Sequence, residues 1–178
     1  MKMNAVLDRP TSYEELYGTY YGEVLHLCCR LLSNRHEAEE VTQEVFLKLY
    51  REYQALGQTD SMVWRPWVIK VSVNACRDRR RSGWWKWWRG TNSEGQETEY
   101  PSPNHTPEEM LLSRETQRHI WHALRELSGR QQEVFVLRHL EEWSTEEVAK
   151  ILEMTTGSVK RHLFRAVHRL RRELGDRL

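Results

Sequence analysis

A chain of 178 residues has room for one domain or two small ones, and 30% charged against 39% hydrophobic side chains marks it as charge-rich. No apolar run approaches the ~18 to 20 residues of a membrane helix, and the opening MKMNAVLDRPTSYEEL lacks the apolar core and cleavage site of a secretion signal. Three cysteines, Cys28 and Cys29 adjacent, make a poor disulfide framework and point to a reducing cytoplasm; with His26 they match no zinc spacing, so no metal is expected.

Helical spacing governs the first half. Leu16, Tyr20, Val24, Leu27 and Leu31 line one stripe of a helix from about 12 to 32. Asn34 and Glu37 then offer a capping box before a second stripe, Ala38, Val41, Val45 and Leu49. The polar stretch QALGQTDS at 54–61 breaks the pattern. A third helix is expected near Pro66, which suits a first turn, with Trp67, Val71 and Ala75 inward.

That helix runs into Arg79, Arg80 and Arg81, and then into GWWKWWRG at 83–90. Residues 70–89 hold seven Lys or Arg against one acid, whereas 91–109 hold five Glu and no Lys or Arg. The stretch 91–107 is polar and contains three prolines, so it reads as a linker between two lobes. In the second lobe Ile120, Leu124 and Leu127 mark a first helix. Ser128 with Gln131 is a capping box before Val134, Leu137 and Leu140. Ser144 with Glu147 is another, opening a short helix of Val148, Ile151 and Leu152. A long last helix follows, with Val159, Leu163, Val167, Leu170 and Leu174 on its inner stripe. No strand pattern of any length occurs. The expected fold is all-α, in two small helical domains.

Two constellations carry chemistry. The segment STEEVAKILEMTTGSVKRHLFRAVHRL reads as a helix-turn-helix, and residues 158–172 hold six Lys or Arg and no acid. Ser158, Arg161, His162 and Arg165, with Lys160 beside them, form the outer face of a helix that fits the DNA major groove. Arg169, Arg171 and Arg172 are placed for phosphates. Simple closure of a helical bundle is the competing reading. In the first lobe Trp64 and Trp67 stand beside Lys70, Arg77 and Arg79 to Arg81, a mixture suited to stacking unpaired bases and tracking their backbone; packing in the lobe's core is the other reading for both tryptophans. No phosphate-binding Gly loop, zinc pattern or nucleophile–base set is present, so neither catalysis nor a cofactor is expected.

These residues resemble a bacterial RNA polymerase sigma factor of the extracytoplasmic-function group, over about Tyr13–Arg81 and Glu108–Leu174. EAEEVTQEVF at 37–46 is similar to the family's D-A-E-D-hydrophobic-x-Q-E-x-F. WVIKVSVN at 67–74, with Asp78 and Arg81, is similar to W-L-x-x-I-A-x-N-x-x-x-D-x-x-R. Leu127 through Leu163 is similar to L-P-x-x-x-R-E-V-F-x-L-R, S-x-E-E-I-A-x-x-L and G-T-V-K-S-R-L in turn. Ser128 and Gln132 replace the family's usual Pro and Arg, Glu153 stands at a turn position often held by Gly, and His162 replaces a small Ser.

The resemblance implies a core-polymerase and minus-ten domain over 1–90, a linker over 91–107 and a minus-thirty-five domain over 108–178. Glu37, Glu39, Glu40, Gln43, Glu44 and Phe46 would bind the polymerase, whose beta-prime clamp coiled-coil and beta flap are the expected contacts. Asp60, Ser61, Trp64, Trp67, Lys70, Asn74, Arg77, Arg80 and Arg81 would read and open the minus-ten element. Thr156, Ser158, Lys160, Arg161, His162, Phe164, Arg165 and Arg169 would read the minus-thirty-five element. An anti-sigma partner is also implied. A stand-alone helix-turn-helix regulator is the alternative, but a net charge of +1 and one reading helix argue against strong unaided binding. The tryptophan patch at 84–88 lies beyond the family signatures and is open to packing, a protein interface, DNA stacking or a membrane surface.

Overall fold

The computed structural model describes residues 12–56, 63–82 and 119–175. The tryptophan patch, the acidic linker, and Asp60 and Ser61 of the polar loop lie outside them. All regular elements among the described residues are helical. Three build the first lobe: α1 (Tyr13–Leu32), α2 (Arg35–Leu56) and α3 (Trp64–Arg81). The second lobe has a helical stretch over 119–125 (α4), then α5 (Gly129–Phe135), a π-helical turn (Val136–Leu140), α6 (Thr145–Leu152) and α7 (Thr156–Leu174).

Local chemistry sets most of the boundaries. Ser12 caps α1 by accepting from the Glu15 amide, and Glu14 and Glu15 face the positive end of the helix dipole. The helix stops where Ser33 turns left-handed and sends its N–H to the Cys29 carbonyl. Asn34 Oδ1 accepts from the Glu37 amide at 2.9 Å, the first half of the expected capping box. The Glu37 carboxylate turns instead to Arg79. Pro66 sits in the first turn of α3, where its missing N–H costs nothing. Both capping boxes of the second lobe are complete.

The inner stripes of α1 and α2 are fully buried as their spacing predicts. On α3 the stripe is displaced. Val68, Ile69, Ser72, Val73 and Cys76 are buried with Ala75, while Trp67 and Val71 are only partly covered. The reason is burial from two directions: α3 packs on α1 and α2 and also on α6 of the second lobe. Leu140 is a second departure, being 37% exposed. The π turn, closed by the Glu141 amide on the Val136 carbonyl at 3.0 Å, widens the helix and rotates Leu140 away from the core. Trp143 enters the core, 3% exposed.

One apolar cluster crosses the boundary between lobes. It joins the α1–α3 residues to Val134, Val136, Leu137, Trp143, Val148, Ile151, Leu152 and Val159. A smaller cluster of Ala123, Leu124, Leu127, Ala166 and Leu170 holds α7 against α4. At about 1.5–3 kcal/mol for each large aliphatic or aromatic side chain removed from water, contact between the lobes contributes to the stability of both.

Candidate nucleic-acid interface

The second lobe presents α7 at its surface. Val159, Ala166 and Leu170 anchor the inner side. The opposite side exposes Lys160, Arg161, Phe164, Arg165 and His168. Thr155 caps the helix by accepting from the Ser158 amide at 3.1 Å, and its hydroxyl donates to Ser158 Oγ at 3.0 Å. Ser158 is thereby partly committed to the cap, and Thr156 stays exposed. Phe164 is 74% exposed and stacks on His168, ring centroids 6.3 Å apart. A large apolar ring amid cations is suited to the thymine methyl groups and base edges of a major groove.

His162 departs from the expected outer face. Its ring is half-buried, with Nδ1 enclosed. Burial and the charges of Arg165, Arg130 and Arg161 hold its pKa below the usual histidine range, so the ring stays neutral at neutral pH. Arg169 is engaged by Glu126 at 3.3 Å.

Beneath the turn before α7, Glu153 adopts φ 54 and ψ 52, the left-handed conformation anticipated for the usual glycine position. For a non-glycine residue this costs about 1–2 kcal/mol. Its carboxylate meets Lys70 of α3 at 2.6 Å, and that cation holds the Glu153 pKa low.

The acidic face of α2 has a guanidinium at its centre. Arg79 bonds Glu37 and Glu40, each at 2.7 Å, and Glu44 at 2.6 Å. Burial works against the charge of Arg79, but the Glu40 hydrogen bond and the Glu37 and Glu44 carboxylates outweigh it and raise its pKa. Arg79, read from sequence as one of the DNA-tracking cations, is thus occupied by α2. Two expected polymerase contacts are also withdrawn from the surface. Glu37 is 5% exposed, and Phe46 is 3% exposed beneath Tyr17 and Tyr21, with its carbonyl accepting from the Tyr13 hydroxyl. Phe46 falls on the side of α2 that meets α1. Glu39, Glu40, Gln43 and Glu44 remain accessible. Leu47 and Tyr50, 59% and 46% exposed, continue the Gln43 face at helical spacing and are absent from the sequence-derived set. Their exposure beside a polar face is the signal that spacing alone did not give.

On α3, Trp64 and Trp67 meet edge to face at 6.1 Å and pack partly against the core, each leaving part of its ring accessible. Asn74 accepts from Arg77 at 3.0 Å. Arg77 reaches both oxygens of Glu133 in α5, at 3.2 and 2.9 Å. Arg80 bonds Glu133 at 2.6 Å and Gln132 at 2.9 Å. Arg81 is exposed. Most of the cations expected to hold an unpaired strand are therefore turned toward the second lobe.

The sequence matches two family models in order, Sigma-70 region 2 over residues 16–86 and Sigma-70 region 4 over 117–170. It is 30% identical over 162 residues to the ECF RNA polymerase sigma factor SigL of Mycobacterium tuberculosis, covering 90% of this chain and 88% of that one. The chain belongs to the extracytoplasmic-function sigma factors. It is likewise 25% identical over 170 residues to the ECF sigma factor SigW of Bacillus subtilis, covering 93% and 90% of the two chains. The fold is similar to that of the sigma factor RpoE from Bartonella quintana, solved with the anti-sigma factor NepR, at TM-score 0.67 and 19% identity over 91% of this chain and 96% of that one. The region 2 match spans most of α1–α3 and the region 4 match most of α4–α7. No described helix of this sigma factor is long and apolar enough to cross a membrane, and no group of metal-ligating side chains occurs among the described residues.

Proposed function

We propose that this sigma factor docks on core polymerase through the accessible face of α2, places it on a minus-thirty-five element through α7, and holds unpaired minus-ten bases along α3. Glu39, Glu40, Gln43 and Glu44 supply the polar docking contacts, with Leu47 and Tyr50 as apolar anchors. Arg161 and Arg165 read bases, Phe164 meets apolar base edges, and Lys160 and Arg169 hold phosphates. Trp64, Trp67, Lys70, Asn74, Arg77, Arg80 and Arg81, with Asp60 and Ser61 ahead of them, form the strand-binding set. Bond making and breaking in RNA synthesis belongs to the polymerase, and the site of action is the cytoplasm. The names of the solved neighbours support an anti-sigma partner for this chain as well.

The observation that carries this reading is the outer face of α7, where cations and an exposed Phe lie opposite a buried Val159–Ala166–Leu170 stripe, with no acid between 158 and 172. A stand-alone regulator would use only the second lobe and leave the region 2 match without a purpose. Transcription in vitro with core polymerase on a library of genomic fragments tests the proposal. Arg165→Ala is expected to lower transcription from a selected promoter by about tenfold or more, the worth of one paired base contact, while core binding persists. Unchanged transcription would remove Arg165 from the reading set, and tight specific duplex binding without polymerase would favour the regulator.

A further inference from the structure

Phe164 is the most exposed of the large apolar side chains among the described residues, at 74%. It stands on the outer face of α7 in a row at four-residue spacing: Lys160, Phe164, His168 and Arg172, all exposed. The rings of Phe164 and His168 lie nearly parallel, with 10° between planes and 6.3 Å between centroids, within the range over which aromatic pairs attract. Helical side chains lean toward the N-terminus of their helix, so His168 reaches back over the turn that carries Phe164. The cations at the two ends of the row suit phosphates, which leaves the rings for base edges between them. The helix itself is fixed: Val159, Ala166 and Leu170 bury its inner side, and the Thr155 hydroxyl caps its start. What stays free is the rotation of Phe164. A helical aromatic side chain has two open χ1 settings, and only one of them puts the ring at a given base.

We propose that His168 is a positioning residue for base reading: its stacked ring holds Phe164 in one setting, so that α7 recognises a pyrimidine 5-methyl group in the minus-thirty-five element. This rests on the assignment of α7 as the helix that reads that element. In the major groove the thymine methyl is the apolar group that the base edges offer, beside their hydrogen-bond donors and acceptors. A ring held over it removes the methyl from water, and 5-methylcytosine offers the same group at the same place. Arg161 and Arg165 form the neighbouring row and take the hydrogen-bonding edges. The family signatures stop at Leu163, so His168 stands outside the residues assigned to this element from sequence. A histidine beyond a motif carries no signal there. The signal is the exposed ring four residues before it, on which it stacks.

The test uses the full chain with core polymerase on a promoter that it selects, transcribed at limiting holoenzyme. Each thymine of the minus-thirty-five element is replaced in turn by deoxyuridine, which removes the methyl alone, and each cytosine by 5-methylcytosine, which adds it. With the wild type, removing or adding the methyl beneath the ring should change transcription about fourfold, the worth of one such group taken from water. Phe164→Ala should be indifferent to that methyl. His168→Gln should keep only about a twofold response, since only the fraction of rings in the reading setting gains from the methyl. His168→Phe, which keeps a stacked ring, should respond like the wild type. Glutamine retains a polar group and is the better helix former of the two, so this pair of variants separates stacking from hydrogen bonding and from helix stability. A fourfold response in His168→Gln, a lost response in His168→Phe, or no methyl-sensitive position with the wild type overturns the proposal. Transcription indifferent to every base-pair change across the minus-thirty-five element overturns the parent reading of α7 instead.

Discussion

Arg79 shows how much one side chain decides. It is 79% covered and joins three carboxylates of α2, of which Glu37 is nearly buried. Removing the guanidinium leaves a carboxylate in the lobe's interior without compensation. Arg79→Ala is expected to destabilise the first lobe by about 2 kcal/mol, less than a wholly buried pair because Glu40 and Glu44 are solvated; thermal unfolding of the full chain measures it. His162 makes a pH-dependent contribution. Its folded pKa lies below 6.5, the unfolded value, so the unfolded chain takes up the proton first. The stability it supports is complete above that pH and is lost as pH falls toward the lowered folded value. Melting temperature between pH 7.5 and 5.5 should therefore fall less in His162→Gln than in the wild type; equal slopes would remove the ring as the cause.

At the scale of elements, α2 has three sides: one packs against α1, one against α3, and the third, exposed, is the docking face we propose. The last side carries Gln43, Leu47 and Tyr50. Leu47→Ala should change stability little, since exposed truncations rarely exceed about 0.5 kcal/mol, whereas Tyr50→Ala also gives up an edge-to-face contact with Tyr13 at 5.1 Å, worth about 0.5–1.5 kcal/mol. The same pair should weaken core-polymerase binding about tenfold or more if these rings and methyls anchor the interface, as measured by competition with a second sigma factor. Unaltered competition would return docking to the acidic groups alone. The helices themselves were legible from local rules. Ser128 with Gln131 and Ser144 with Glu147 are reciprocal bonds three residues apart, and the α1 and α2 stripes follow a single period. Leu140 was misplaced because a π turn changes the period within one helix, and no residue type announces it. The α3 stripe was misplaced because a second lobe covers its other side. Phe46 was assigned outward from its motif, whereas burial depends on where α1 lies.

Across the whole molecule, the lobes share an apolar cluster and ion pairs between residues distant in sequence, such as Arg77 and Glu133, 56 positions apart, and Arg30 and Glu141, 111 apart. Such contacts leave no periodic trace, so sequence reading divided the chain without seeing how its parts meet. The shared core predicts coupled unfolding. Calorimetry of the wild type should give one transition, and Glu133→Ala should separate it into two or lower it markedly; two independent transitions in the wild type would contradict the coupling. The guanidinia gathered on Glu133 also bear on how the free protein moves among nucleic acids. Most chromosomal DNA is a decoy, and cationic proteins linger on it in proportion to the phosphates they neutralise. With Arg77 and Arg80 turned inward, a chain of net charge +1 meets such phosphates chiefly through the exposed cations of α7, Lys160, Arg161 and Arg165.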